Sequence, residues 1–179
     1  VPTPPAPSFS NTQDLNIQDN NIAASSNINV SGVQPANLGP EVIRSVCVNV
    51  AHNDDGDLDL YLVSPGGQVL ELSTDNGGTG NNYTNTCFTP DAASAIIFPG
   101  PQAPATAAPF TGNFLPEGAW SDLWDTPARP TNGTWKLKAN DDFASAPPSI
   151  GTLLDWSITF APSYEVIYAW AASPDITCL

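Results

Sequence analysis

Residues 56–67 have the sequence GDLDLYLVSPGG, and this stretch decides the fold class. Leu58, Leu60 and Leu62 recur at every second position, which is the period of a strand that buries one face. The SPGG that follows is typical of a tight turn between two antiparallel strands. We therefore predict a β-hairpin whose return strand covers residues 69–72.

The same two-residue period recurs along the chain, and no segment keeps a helical period over ten residues. Several short strands separated by turn-rich segments are typical of an antiparallel β-sandwich or jelly roll. The predicted fold class is therefore all-β. The alternation assigns these side chains to the core: Val46, Val48, Val50, Trp135, Leu137, Leu154, Trp156 and Ile158.

The chain has 179 residues, which is enough for one domain of ordinary size. The proline-rich residues 1–13 are expected to form a linker. Residues 14–161 are assigned to the β domain, and residues 162–179 to a second linker or to the start of a following β-rich module. No apolar run approaches the ~18 residues of a membrane-spanning helix, so membrane insertion is not expected.

The charge of the chain excludes two classes of partner. Eighteen acidic residues against four basic ones give a net charge of −14. Nucleic acids and anionic membrane surfaces are bound through lysine and arginine, so neither is an expected partner. A strongly acidic chain attracts cations instead.

A single histidine limits the catalysis that this chain could perform. His52 is the only imidazole, so any Ser–His–Asp mechanism would have to use it. It stands at the end of an alternating strand, where a solvated side chain is expected. The few glutamates form no recognisable pattern, although counting alone does not exclude paired carboxylates of the glycosidase type. We predict a non-catalytic domain.

Three loops concentrate oxygen ligands. Calcium takes six to eight oxygens from carboxylates, amides and backbone carbonyls, and glycine-containing loops can wrap it. Two interpretations stay open: the loops hold structural calcium, or their side chains are solvated turn residues. The spacing does not match an EF-hand. The candidate metal ligands are Asp54, Asp55 and Asp57 in the first loop, Asp75 and Asn76 in the second, and Asp141 and Asp142 in the third.

The cysteines and two tryptophans complete the candidate residues. Cys47 and Cys87 lie on the outward phase of their strands, and a bond between them would contribute roughly 4 kcal/mol; two free thiols are the alternative. Cys178 is left over near the C-terminus. Trp120 and Trp124 form the aromatic pair expected to be exposed, and they are candidate contacts for a ligand such as a sugar.

Three motifs, in this order, resemble one known family. They are GDLDLYLVSPGG at residues 56–67, NGTWKL at residues 132–137 and GTLLDWSITF at residues 151–160. Together they resemble the P domain, the β-rich module that follows the catalytic domain in proprotein convertases and many bacterial subtilisin-like proteases. Residues 146–149, with the sequence APPS, stand where the family often has an acidic turn, which argues against a metal ligand there.

Two further stretches resemble the P domains of large secreted proteins from gliding-type bacteria. They are residues 72–86 and residues 109–118. The last residues, 168–178, resemble the start of the Ig-like or PKD-like repeats that follow in those proteins. The resemblance therefore implies a secreted, extracellular or cell-surface location.

The family's role implies an accessory function. A P domain packs on a neighbouring domain of the same polypeptide, often a protease, and some bacterial members bind calcium. We therefore predict a calcium-binding accessory domain of a secreted subtilisin-like serine protease, monomeric when isolated. The alternatives are a structural or adhesive module of a cell-surface protein and, more weakly, a carbohydrate-binding module that uses Trp120 and Trp124.

Overall fold

Ten strands build the domain in a computed structural model that describes residues 5–19, 21–96 and 108–162. Within these ranges there is no α-helix, and no helix that could span a membrane. Single 3₁₀ turns lie at Asp55–Asp57 and Trp120–Leu123. The strands are β1 (Ser8–Asn11), β2 (Leu15–Gln18), β3 (Ala24–Val30), β4 (Ile43–Ala51), β5 (Leu58–Val63), β6 (Val69–Ser73), β7 (Tyr83–Phe88), β8 (Phe110–Phe114), β9 (Gly133–Asp141) and β10 (Ile150–Phe160).

The strands form two sheets that pack as a sandwich. The six-stranded sheet has the order β1–β10–β4–β7–β8, and β2 also pairs with β10. The four-stranded sheet has the order β3–β9–β5–β6. The predicted all-β sandwich is confirmed, with one difference: β7 and β8 are parallel. The connection over residues 89–109 is long enough for the crossover that a parallel pair requires.

The core lies between the two sheets and follows the predicted alternation. Val46 and Val48 on β4 are fully buried, as are Leu58, Leu60 and Leu62 on β5. The two core tryptophans each satisfy their indole N–H inside the domain, as large amphipathic side chains must when buried. Trp156 Nε1 donates to Ser26 Oγ at 2.9 Å, and Trp135 Nε1 donates to the Thr131 carbonyl at 3.0 Å.

One side chain assigned to the core lies outside it. Leu154 is 41% exposed, whereas its neighbour Leu153 is fully buried. The register between β10 and β4 shifts between Leu153 and Asp155. A bulge of this kind adds one residue to a strand and reverses the alternation before it. The expected inward position of Leu154 was therefore wrong.

The six-stranded sheet includes a strand from the segment that was expected to be a linker. Strand β1 pairs with β10, from Ser8 opposite Thr159 to Asn11 opposite Trp156. The Phe9 and Phe160 rings also pack edge to face, with 6.1 Å between their centroids. The linker expected over residues 1–13 was thus wrong for these four residues, because a four-residue strand is too short to show a period. Residues 163–179, with Cys178 and the expected second linker or following module, lie outside the described residues.

Candidate functional site

Three acidic loops meet at one end of the sandwich. They connect β4 to β5, β6 to β7, and β9 to β10. The Asp55 N–H donates to the Gly80 carbonyl and the Gly56 N–H donates to the Gly78 carbonyl, both at 2.8 Å. The Asp142 N–H donates to the Asp57 carbonyl at 3.1 Å, which brings in the third loop. All three loops that were predicted separately from the sequence are therefore in contact.

Two glycines allow the first two loops to approach so closely. A Cβ at Gly56 would lie 2.9 Å from the Gly78 Cα. Gly77 has a φ of +98°, and a Cβ there would lie 2.8 Å from the Asp55 Cβ. Side chains at these positions would collide with the facing loop, and Gly77 also adopts a conformation that costs other residues energy. The glycine-rich loop is thus required for the enclosure of Asp55.

Asp55 is the most enclosed carboxylate of the first loop. Its side chain is fully buried, and Oδ1 accepts the Asn82 N–H at 2.9 Å. Oδ2 has no hydrogen-bond partner among the described residues. The pKa of Asp55 is raised to about 7, mainly because the side chain is buried. The hydrogen bond from the Asn82 N–H lowers this pKa in part, and the charge of Asp54 raises it further. Asp55 therefore has one buried carboxylate oxygen, Oδ2, that is free of hydrogen bonds from the described residues and could bind a cation.

The neighbouring carboxylates repel one another. Burial, followed by the charges of Asp54 and Asp141, raises the pKa of Asp57 to about 6. Burial raises the pKa of Asp59 to about 6 as well, and Asp142 and Asp75 add to it through their charges. A cation placed among these carboxylates would relieve both the repulsion and the cost of burial.

Asp141 and His52 form a buried pair at the base of the loops. His52 Nε2 lies 3.1 Å from Asp141 Oδ2, and His52 Nδ1 lies 2.7 Å from the Asp54 carbonyl oxygen. The same Asp141 oxygen accepts the Ser149 hydroxyl at 2.9 Å, while Oδ1 has no partner in the described part of the chain. The expected solvated position of His52 was wrong, since the side chain is 1% exposed. Gly151 makes room for it, because a Cβ there would collide with the imidazole.

The order of these three groups does not match a hydrolytic triad. In a Ser–His–Asp triad the imidazole lies between the hydroxyl and the carboxylate, so that it can take the hydroxyl proton. Here the Asp141 carboxylate lies between His52 and Ser149. The Ser149 hydroxyl donates to a carboxylate and has no imidazole as its base. The arrangement instead links the end of β4 to the loop that precedes β10.

Asn76 has a structural partner that the sequence did not reveal. Its amide nitrogen donates to Ser73 Oγ at 3.0 Å and to Glu117 Oε1. Glu117 Oε1 also accepts the Thr74 N–H at 2.7 Å. Glu117 thus ties the second loop to the segment after β8. No local pattern around Glu117 indicates this role, because its partners lie more than 40 residues away.

The gathered carboxylates are not arranged as a finished metal cage. Across residues 5–19, 21–96 and 108–162, no three His, Cys, Asp or Glu side chains are placed so that they could hold a metal ion. The donor set nevertheless has the hard oxygens that calcium prefers. Two of these oxygens, Asp55 Oδ2 and Asp141 Oδ1, are buried and have no hydrogen-bond partner within the described ranges. The residues present therefore fit a calcium ion by chemistry, and binding would require their side chains to converge.

The remaining candidate residues lie elsewhere in the sandwich. Cys47 and Cys87 form a disulfide between paired positions of β4 and β7, which confirms the predicted bond. Trp120 and Trp124, expected to be exposed, are both partly buried against the core. The indole N–H of Trp120 is buried and has no partner in the described segments. Neither tryptophan forms the open aromatic platform that a stacked sugar would need.

Comparison with known proteins identifies a family and two relatives. A family model described as the proprotein convertase P-domain matches residues 43–160. The "Leupeptin-inactivating enzyme 1" of Streptomyces exfoliatus is 32% identical over 161 residues, which is 89% of this chain and 27% of that protein. The "Transglutaminase-activating metalloprotease" of Streptomyces mobaraensis is 26% identical over 152 residues, which is 85% of this chain and 15% of that protein. The chain thus spans less than a third of either relative.

Proposed function

This chain belongs to the proprotein convertase P-domain family, and from that membership we propose that it is a non-catalytic accessory domain of a secreted protease. Its partner is a peptidase domain of the same polypeptide, which it packs against and stabilises. The observation that carries the proposal is the match between nearly the whole chain and small parts of much longer relatives. A module of this kind acts through the domain beside it.

Two features support an extracellular, non-catalytic role. The Cys47–Cys87 disulfide is typical of proteins that fold in an oxidising compartment. The only histidine is buried in a pair with Asp141, and the nearby Ser149 hydroxyl lacks a base. We therefore assign peptide-bond hydrolysis to the neighbouring domain.

The neighbouring peptidase has two candidate classes. P domains follow the catalytic domain in subtilisin-like convertases, and this association favours a serine peptidase. The printed name of the Streptomyces mobaraensis relative instead contains the word metalloprotease, which favours a metallopeptidase. Both relatives are from Streptomyces, so the variant found in gliding-type bacteria stays a prediction. A serine-directed inhibitor and a zinc chelator would separate the two classes on the intact polypeptide.

We also propose that calcium stiffens the acidic end of the domain. The carboxylates of Asp55, Asp57 and Asp141 supply the ligands, with Asp54 and Asp142 beside them. The support is the burial and the mutual repulsion that raise the pKa of Asp57, together with the two buried oxygens, of Asp55 and Asp141, that have no partner among the described residues. Asp75 adds charge next to Asp142, and Asn76 is held by Glu117. Our proposal therefore leaves Asp75 and Asn76 out of the seven candidate ligands.

Deletion of the domain from the natural polypeptide tests the main proposal. The polypeptide is expressed intact and without residues 8–162, and casein hydrolysis and its thermal half-life are measured for both. We expect the shortened form to be inactive or to lose activity at least tenfold faster on heating. An equally stable and active shortened protease would overturn the proposal. An intact polypeptide without peptidase activity would overturn it too, and would favour the structural or adhesive alternative.

A further inference from the structure

A polar groove runs along the open edge of the four-stranded sheet. This edge is β3, which pairs with β9 on one side only among the described strands. The turn between β1 and β2 faces it. Two cavities, of about 550 and about 340 Å³, lie between this turn and β3. They share no lining residue with the acidic loops.

Asn11 joins the two cavities into one groove. Its Nδ2 donates to the Asn27 carbonyl at 3.0 Å, and its Oδ1 accepts the Gln13 N–H at 2.9 Å. All three residues line both cavities. Asn11 is thus fixed at the centre, with one cavity toward Asn29 and the other toward Ser25.

The lining of the groove is polar and nearly uncharged. Each cavity adds two serine or threonine hydroxyls to the shared amides, and Asp14 is the one charged residue that lines either of them. This composition differs from the rest of a chain whose net charge is −14. We call the feature the amide groove, after the side chains of Asn11, Gln13, Asn27 and Asn29.

Several amide groups in the groove have unused hydrogen-bonding capacity. The side-chain amides of Gln13 and Asn27 are exposed and make no hydrogen bond with any described residue. Asn29 Oδ1 accepts the Thr134 hydroxyl at 2.8 Å, which orients the Asn29 amide nitrogen. A carboxamide offers two donors and an acceptor oxygen, so it can pair with groups that both donate and accept. Hydroxyl groups have this property.

We propose that the amide groove binds a neutral oligosaccharide. The nearly uncharged lining matches a ligand without charge, and the amides match its hydroxyl groups. Phe9 lines the larger cavity with its ring partly buried against the core, so the amides and hydroxyls supply the contacts. This function is separate from that of the acidic loops and goes beyond the accessory role.

An added peptide strand fits this edge less well. Strand addition requires an uninterrupted row of backbone donors and acceptors along the edge. The Asn27 carbonyl, at the centre of β3, is already bonded to the Asn11 side chain. A peptide strand would have to displace this bond, whereas a sugar can occupy the space on either side of it.

Binding of defined tetrasaccharides to the 179-residue chain tests the proposal. Five uncharged sugars are titrated by calorimetry: cellotetraose, xylotetraose, mannotetraose, maltotetraose and tetra-N-acetylchitotetraose. We expect saturable binding of at least one, weakened about fivefold to tenfold in Gln13→Ala and in Asn27→Ala, since one hydrogen bond contributes about 1 kcal/mol. Asn113→Ala is the matched control, because Asn113 is an exposed asparagine on β8, and it should bind normally.

Three outcomes would overturn the proposal. One is the absence of saturable binding for all five sugars. Another is binding that Gln13→Ala and Asn27→Ala leave unchanged while Trp124→Ala abolishes it, which would place the sugar at the tryptophans. The third is that an extended serine- and threonine-rich peptide binds more tightly than every sugar and is lost in Asn27→Ala.

Discussion

His52 and Asp141 are 89 residues apart in the sequence, yet Nε2 of one lies 3.1 Å from Oδ2 of the other. Both side chains are fully buried. His52 follows β4 of the six-stranded sheet, and Asp141 ends β9 of the four-stranded sheet. One buried contact therefore joins the two sheets beneath the acidic loops.

Removal of the Asp141 carboxylate should destabilise the domain strongly. In Asp141→Ala the His52 imidazole and the Ser149 hydroxyl lose their acceptor and stay buried. We expect a loss of about 3 to 5 kcal/mol in the free energy of unfolding, measured by urea denaturation in chelator. The neighbouring Asp142→Ala removes an exposed carboxylate and should cost less than about 1 kcal/mol. Equal losses in the two variants would contradict this role of the buried pair.

The metal-free domain should become less stable as pH rises from about 4 to about 7. The pKa of Asp55 is raised from 3.8 to about 7 on folding, so the folded state holds this proton more tightly than the unfolded chain. The stabilisation is complete below pH 4 and is lost as pH rises through 7. Asp57 and Asp59, each with a pKa of about 6, act in the same direction.

The variant Asp55→Asn isolates this contribution. The asparagine oxygen can still accept the Asn82 N–H but does not ionise. As pH rises from about 4 to about 7 in chelator, the free energy of unfolding should fall in both proteins. We expect the fall in Asp55→Asn to be a few kcal/mol smaller than the fall in the native domain. Asp91→Asn changes an exposed carboxylate and should keep the native profile. Identical pH profiles for Asp55→Asn and the native domain would refute the assignment.

Calcium should raise the melting temperature of the domain. Calcium at 100 times its dissociation constant stabilises the fold by about 2.7 kcal/mol. For a chain of this size the shift is roughly 5 to 10 °C. We expect it with calcium and not with magnesium, and we expect Asp57→Asn to abolish it while the exposed Asp91→Asn retains it. A shift of the same size with either ion, or none at all, would contradict the calcium proposal.

A methyl group at Gly77 should disturb the acidic loops. Gly77 and Gly112 have similar φ values, +98° and +102°. A Cβ at Gly77 would lie 2.8 Å from the Asp55 Cβ, whereas a Cβ at Gly112 would meet no atom of the described residues within 4 Å. Both alanine variants carry the backbone cost of a positive φ, about 1 kcal/mol. We expect Gly77→Ala to lose about 1 to 3 kcal/mol more than Gly112→Ala, by denaturant unfolding. Equal losses in the two variants would contradict a collision between a Gly77 Cβ and Asp55.

Loss of the disulfide should lower stability without changing the fold. Cys47 and Cys87 close a loop of 40 residues, and on the chain-entropy model such a bond contributes roughly 4 kcal/mol. The double variant Cys47→Ala/Cys87→Ala should therefore melt about 8 to 16 °C lower. Its circular dichroism should still show a β domain. A melting temperature unchanged from the native domain would contradict this contribution.

The local pattern predicted much of this fold. The two-residue period over residues 58–62 and 133–139 identified buried side chains correctly, because alternation in a strand depends only on neighbouring residues. It failed at Leu154, where a bulge forms against β4, and at Ser8–Asn11, where the partner strand lies almost 150 residues away. Both errors arise from contacts between distant parts of the chain.

The sequence by itself determined the all-β class, the family and the presence of three acidic loops, since these rest on local periodicity and short motifs. The tertiary structure alone decided that the three loops meet, that Asp55 and Asp141 are buried, and that His52 lies in the interior. It also decided that Asn11 and Asn27 form one groove. The physical reason is that burial and hydrogen-bond partners depend on the pairing of strands from both ends of the chain.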